Sequence, residues 1–229
     1  MIAVDLLLLQ MELEAIKPVS GELVARACED VHDFPLVFSA RTFDGQSLVW
    51  FDELIPAELR GRLSREELLA FETETANDVL READIYTEAS QFKTYKFPED
   101  VGLQCFVWRS VSAGMIPESW HSLDFGGMAD DVYAVECEVE ILSACASARQ
   151  NAKAAEAWVV THPNHRRKGM ARQVVTAWAA SLLKQGLTPF YSHHIINENS
   201  ARLASHLGRV PVFDVTVIEQ CFPCPGVYA

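Results

Sequence analysis

One stretch, residues 157–186, constrains the fold more than any other. Trp158-Val159-Val160 is an apolar strand, and Thr161-His162-Pro163 ends it. Arg166-Arg167-Lys168-Gly169-Met170-Ala171 then opens a helix. Met170, Ala171, Val174, Val175, Trp178, Leu182 and Leu183 fall at i, i+4 and i+8 spacings, so that helix buries one face. Gly186 supplies its left-handed stop. A strand therefore feeds a short basic turn, which feeds a helix N-terminus. The first helical N–H groups lack intrahelical acceptors and the dipole is positive there, so the junction suits a phosphate. Gly169 lets backbone approach such a ligand without a Cβ in the way, and Ala171 is small for the same reason. Neither G-x-x-x-x-G-K-[ST] nor G-x-G-x-x-G is present, so the two commoner phosphate loops are excluded.

Charge isolates the same region. The chain has 229 residues, 19 Lys and Arg against 32 Asp and Glu, and a net charge of −13. Yet residues 162–209 hold seven Lys and Arg and one acid, Glu198, a local +6 that leaves −19 for the rest. The acidic remainder argues against nucleic-acid binding and against docking on an anionic membrane. The opening apolar run, Leu6 to Leu9, is far short of the roughly 20 residues that span a bilayer. No basic segment precedes it, so neither a signal peptide nor a membrane anchor is expected and a cytoplasmic location is. The six cysteines do not read as a disulfide framework. Cys221-Phe-Pro-Cys224 lacks a second pair for zinc and reads as a plain turn. No metal site is expected.

Two regions are expected. Residues 1–95 read as an acidic, mainly helical region packed on the core, with helices at Val4–Ile16 and Gly21–Cys28 and a strand at 47–51. Ser64-Arg65-Glu66-Glu67 reads as a capping box starting a helix toward Leu80. Residues 96–229 read as the core. Strands are expected at Leu103–Val107, Val132–Leu142 and Ala157–Val160, with a hairpin loop within 144–157. In 132–142, Val135, Cys137, Val139 and Ile141 alternate with Glu136, Glu138 and Glu140, giving one wet face.

Arg166-x-x-Gly169-x-Ala171 after a strand resembles the R/Q-x-x-G-x-G/A signature of the GNAT superfamily of acyl-CoA N-acyltransferases, and looks most like a less studied bacterial branch. After the strand Pro189–Ile195, Asn197-x-x-Ser200-x-x-Leu203-Ala204-x-x-Leu207-Gly208 is similar to the family's later strand–helix motif, at the right distance. The resemblance covers about residues 154–215. It implies an α/β fold: a central twisted, mostly antiparallel sheet with splayed middle strands, flanked by helices. It further implies that backbone N–H groups from Arg167 through Arg172 (Lys168, Gly169, Met170 and Ala171 between them) cradle the pyrophosphate of acetyl-CoA or another acyl-CoA. Arg166 and the other basic side chains would reach its 3′-phosphate. Val159, Val160 and Thr161 would line the pantetheine, one backbone N–H facing the thioester oxygen, with Asn197 and Ser200 nearby.

The implied reaction is direct attack by the primary amine of a small molecule on the thioester. Glu156 is the first candidate for the base and Glu138 the alternative. Many family members place a tyrosine general acid where this chain has Ala204; Ser205, His206 and Tyr191 are the possible substitutes. His193 and His194, adjacent on a strand, should face opposite sides and not share a metal. Trp158 and Trp178 read as core. An inactive CoA-binding sensor is the alternative function, and a homodimer is compatible with both.

Overall fold

The computed structural model describes residues 3–13, 16–19, 22–25, 35–52, 55–63, 67–68, 70, 73–98, 109–112, 131–137, 140–207 and 210–221. It divides into two compact units: residues 1–94 with 211–229, and residues 95–210.

The first unit is mixed rather than mainly helical. Helix α1 (Ala3–Leu13) starts near the expected Val4 but stops short of the expected Ile16, which already belongs to a strand. Strands β1 (Ile16–Val19), β2 (Glu22–Ala25), β3 (Pro35–Thr42) and β4 (Ser47–Asp52) follow. The helix expected at Gly21–Cys28 is therefore partly strand. Its four described residues pair antiparallel with β1, Lys17 opposite Val24, and this pairing overrides local helix preference. Pro18 sits in β1, at the sheet edge where a missing N–H is tolerated. Helices α2 (Ala57–Arg62) and α3 (Glu74–Arg81) and strand β5 (Thr87–Lys96) complete this half of the sequence. Residues 64–66 of the expected capping box lie outside the described residues. Glu67 and Leu68 are helical, as expected, but Ala70 is a turn, and the helix that reaches Leu80 starts afresh with Thr73 at its N-cap. The late strand β11 (Val210–Gln220) lies antiparallel beside β3, Val217 opposite Phe38. The strand order in this unit is β1-β2-β4-β3-β11-β5. Its core gathers Val37, Phe51, Ile55, Leu68, Leu80 and Ile218.

The second unit carries β6 (Arg109–Ser112), β7 (Asp131–Cys137), β8 (Glu140–Gln150), β9 (Ala154–Thr161) and β10 (Thr188–His194), in the order β10-β9-β8-β7-β6. The strand expected at Leu103–Val107 lies outside the described residues. The one expected across 132–142 is a hairpin. Cys137 pairs with Glu140, so the chain reverses between them, and period-2 alternation runs on through a two-residue connection without marking it. The hairpin expected within 144–157 is the β8–β9 connection, where the Asn151 side chain accepts from the N–H groups of Lys153 and Ala154. Helix α4 (Met170–Lys184) and helix α5 (Glu198–His206) follow β9 and β10. Gly186 ends α4 at φ +78°. Leu187 N–H returns to the Leu182 carbonyl and Gly186 N–H to Leu183, both at 3.0 Å, the double bond of a Schellman stop. One face of α4 buries Val174, Val175, Trp178 and Leu182 against Ala155, Ala157 and Tyr191. The Trp178 indole N–H donates to Ser147 Oγ at 3.0 Å, which satisfies the one polar atom that its burial strands. Among the described residues no helix is long and apolar enough to cross a membrane.

Candidate active site

Strands β9 and β10 run parallel, but their register holds for only three pairs: Thr188 with Ala154, Pro189 with Ala155 and Phe190 with Glu156. Beyond that point β9 continues to Thr161 and β10 to His194. The two strands separate like a V, with Glu156 and Phe190 at its vertex. On its other edge β9 stays paired to β8 as far as Thr161 opposite Ser143. Ser143 Oγ donates to the Val160 carbonyl at 2.9 Å and lies 2.8 Å from the Thr161 hydroxyl. Val159, Val160 and Thr161 therefore line an open strand edge whose opposite edge is fixed.

That edge leads into the basic turn. His162 N–H is held by the Leu142 carbonyl at 2.9 Å, and Pro163–His165 forms one 3₁₀ turn. Two residues then adopt left-handed backbone, Arg167 at φ +62° and Gly169 at φ +79°. Left-handed residues in such a turn fold successive N–H groups into a concavity suited to an anion. Gly169 is the N-cap of α4 and provides no side-chain cap. The first helical bond here is Gln173 N–H to the Gly169 carbonyl, so Met170, Ala171 and Arg172 present N–H groups that the helix itself cannot satisfy. A Cβ built on Gly169 would meet nothing within 4 Å, so the space before the helix is open. Arg166, Arg167, Lys168 and Arg172 are exposed around it. Arg166 Nε donates to the Thr161 carbonyl at 3.4 Å.

The second junction differs. Asn197 Oδ1 accepts from Ser200 N–H at 3.0 Å and caps α5 itself. Tyr191 hydrogen-bonds the Ser200 side chain, while burial pushes its phenol from 10 to about 12. Ala204 is fully buried within the α4 core cluster.

Side-chain alternation sorts β9 into two faces. Ala155, Ala157 and Val159 pack toward α4. Glu156, Trp158 and Val160 take the opposite face, where Val160 packs on Val132, Ala134, Ile141, Ala144 and Ala146. Glu156 is buried, and Arg149 Nη1 lies 3.0 Å from its Oε2. Glu138 lies outside the described residues. Glu136 is half-buried and Glu140 is exposed, 4.0 Å from His162 Nε2. Trp178 is core, as expected, but Trp158 is 38% exposed. Its neighbour across β8 is Ala146, too small to cover an indole. His193 is buried and His194 half-buried, as strand alternation requires.

Residues 132–217 match the sequence model of the GNAT acetyltransferases. In the second unit, the mostly antiparallel sheet with its parallel, splayed β9–β10 pair and flanking helices has the GNAT fold. An acetyltransferase of the GNAT family from Colwellia psychrerythraea is 14% identical and superposes with a TM-score of 0.50 over 93% of this chain and 96% of that one. A GCN5-related N-acetyltransferase-like protein from Streptococcus suis 89/1591 is 15% identical, with a TM-score of 0.50 over 66% of this chain and 69% of that one. At these identities the likeness is one of fold. A search of the curated proteins finds none that matches. Two features of the second unit escape motif reading: the Arg149–Glu156 ion pair, and a hydrogen bond between Tyr95 and His193. Arg149 lies seven residues before Glu156, across the hairpin, where only the β8–β9 register brings it near.

Proposed function

We propose that the chain is an N-acetyltransferase that moves the acetyl (or another acyl) group of acetyl-CoA to the primary amine of a small molecule. The observation that carries this reading is the parallel pair that stops at Glu156 and Phe190 immediately before an uncapped helix N-terminus. A strand edge with free pairing capacity suits the amides of a pantetheine arm, and the uncapped N–H groups with four exposed basic side chains suit a pyrophosphate. The donor set therefore fits CoA. Val159, Val160 and Thr161 would hold the arm. Arg167 through Arg172 would hold the pyrophosphate by backbone N–H, and Arg166 and Lys168 would reach the outer phosphate. Ser200, tied to Tyr191, would flank the arm, with Asn197 nearby. Bound acetyl-CoA supplies an activated thioester whose thiol has a pKa of roughly 8.5, a tolerable leaving group.

On the chain's side, the first requirement is a proton acceptor for the ammonium. Glu156 is the candidate: it stands at the vertex of the V, and Arg149 keeps its carboxylate oriented. Isothermal titration with acetyl-CoA tests the reading. Micromolar binding is expected, and no binding at high micromolar cofactor overturns it. Glu156→Gln is expected to leave that binding intact and lower turnover by roughly 10²–10⁴-fold, the usual worth of acid–base catalysis. Equal turnover would remove Glu156 from the role. A second reading, a GNAT-fold CoA sensor that transfers nothing, draws on the buried Ala204, which puts no hydroxyl where many relatives have tyrosine. Cofactor binding with no CoA release against an amine library favours it.

A further inference from the structure

Conversion of an ammonium to an amide removes two protons from nitrogen, one before it attacks and one after the carbon–nitrogen bond forms. Glu156 serves one face of β9. The opposite face, toward α4, holds a second group of titratable side chains. Tyr95 and His193 stack at 5.6 Å with 22° between their rings, both more than nine-tenths buried. Tyr95 Oη lies 3.3 Å from His193 Nε2, and His193 Nδ1 lies 2.9 Å from the His194 carbonyl. A carbonyl only accepts, so Nδ1 carries the hydrogen in the neutral ring. Nε2 is then the acceptor, and the Tyr95 hydroxyl donates to it.

The position of this pair gives the geometry its meaning. Phe190 and Glu156 are the last registered residues, and three further residues along each strand give His193 and Val159. His193 therefore stands level with Val159 in the open half of the V, and the Val159 side chain packs with the cluster that contains Tyr95. Four other groups face this neighbourhood, one of them Tyr133 on β7, which shares the buried cluster of Tyr95 and pairs across the sheet with Cys145. Tyr191 lies next along β10, its ring 6.4 Å from His193. Ser200 on α5 bonds Tyr191, and Cys145 on β8 is fully buried with its thiol pushed up by desolvation. The four are hydroxyls and a thiol, each itself a proton donor, which leaves the His193 Nε2 lone pair as the acceptor.

Resting on the acyltransfer reading above, we propose that Tyr95 and His193 form a relay that removes the second proton. The N–H proton passes to Tyr95 Oη as the Tyr95 hydroxyl proton passes to His193 Nε2. Nitrogen keeps its electron pair as the amide, Tyr95 is neutral before and after, and the imidazolium retains its Nδ1–H bond to the His194 carbonyl. Of the two protons removed from nitrogen, one is left for the departing thiolate and one for solvent.

The test is the pH dependence of acetyl transfer in wild type, Tyr95→Phe and His193→Gln, with acetyl-CoA affinity and thermal melting measured alongside. Tyr95→Phe keeps the stacked ring and decides the matter if His193→Gln fails to fold. The relay requires kcat to fall about 10²-fold in Tyr95→Phe at unchanged CoA affinity and unchanged amine KM, and one limb of the kcat–pH profile to vanish. Wild-type turnover with an unaltered kcat and profile in Tyr95→Phe overturns the relay alone. CoA binding without turnover in wild type overturns the acyltransfer reading and the relay with it.

Discussion

The two strand-to-helix junctions of the second unit are built from similar parts and end differently. After β10, Asn197 turns its side-chain oxygen onto Ser200 N–H and closes the N-terminus of α5 from within. After β9, glycine occupies the same cap position, provides no side-chain oxygen, and leaves the N-terminus of α4 open just after two left-handed residues, Arg167 and Gly169. A helix that caps itself has spent its positive end on stability. A helix that does not is destabilised until an anion arrives, and the surrounding arginines point to the class of anion. The contrast separates a junction closed by its own side chain from one left open to an anion.

Four changes test that contrast. The largest effect is expected from Gly169→Glu. It places a carboxylate at the open end and forces a side chain onto φ +79°, so acetyl-CoA affinity should fall at least about 10²-fold, given roughly 1.5–3 kcal/mol per charge-assisted hydrogen bond. Titration calorimetry reads this directly, and affinity within a few fold of wild type would mean that the α4 terminus is not the phosphate site. Asn197→Ala should do the reverse, lowering stability by about 1 kcal/mol in denaturant melts with a far smaller loss of cofactor affinity than Gly169→Glu causes. A large loss of affinity there would erase the distinction between the junctions. Salt comes next: raising ionic strength should weaken CoA binding progressively, because the basic side chains around α4 are exposed and screened.

The smallest effect concerns the buried end of the second junction. Tyr191 is neutral in the native protein up to about pH 12, against an ordinary value of 10. Its contribution to stability is complete below pH 10 and is lost as pH rises toward 12, because the unfolded chain ionises first. Alkaline unfolding between those values should therefore flatten in Tyr191→Phe. An unchanged slope would show that the phenol is not held neutral by the fold.

The β9–α4 junction was legible in sequence because its signals are local. Strand, basic turn, glycine and helix fall within thirty residues, and each leaves a composition mark. Even the Gly186 stop was readable. What was hidden depended on pairing. The β7–β8 reversal left no break in the alternation of 132–142, and β2 became a strand because β1 lies beside it. Trp158 reads as core by composition, and only the β8 register shows that its neighbour is an alanine. The Tyr95–His193 pair joins residues 98 apart, so no window of sequence contains both. His193 was visible as a strand histidine facing one side, but nothing local named its partner.

Strand β11 carries a consequence for the order of events during synthesis. It lies beside β3, so Val217 meets a residue made about 180 positions earlier. Until 210–220 has left the ribosome, β3 has one bare edge, with Val37, Phe38 and Ala40 among its residues. The first-made unit thus completes its sheet only after most of the second has been translated. Closure over so long a loop is slow, and an unpaired apolar edge is the usual seed of association between nascent chains.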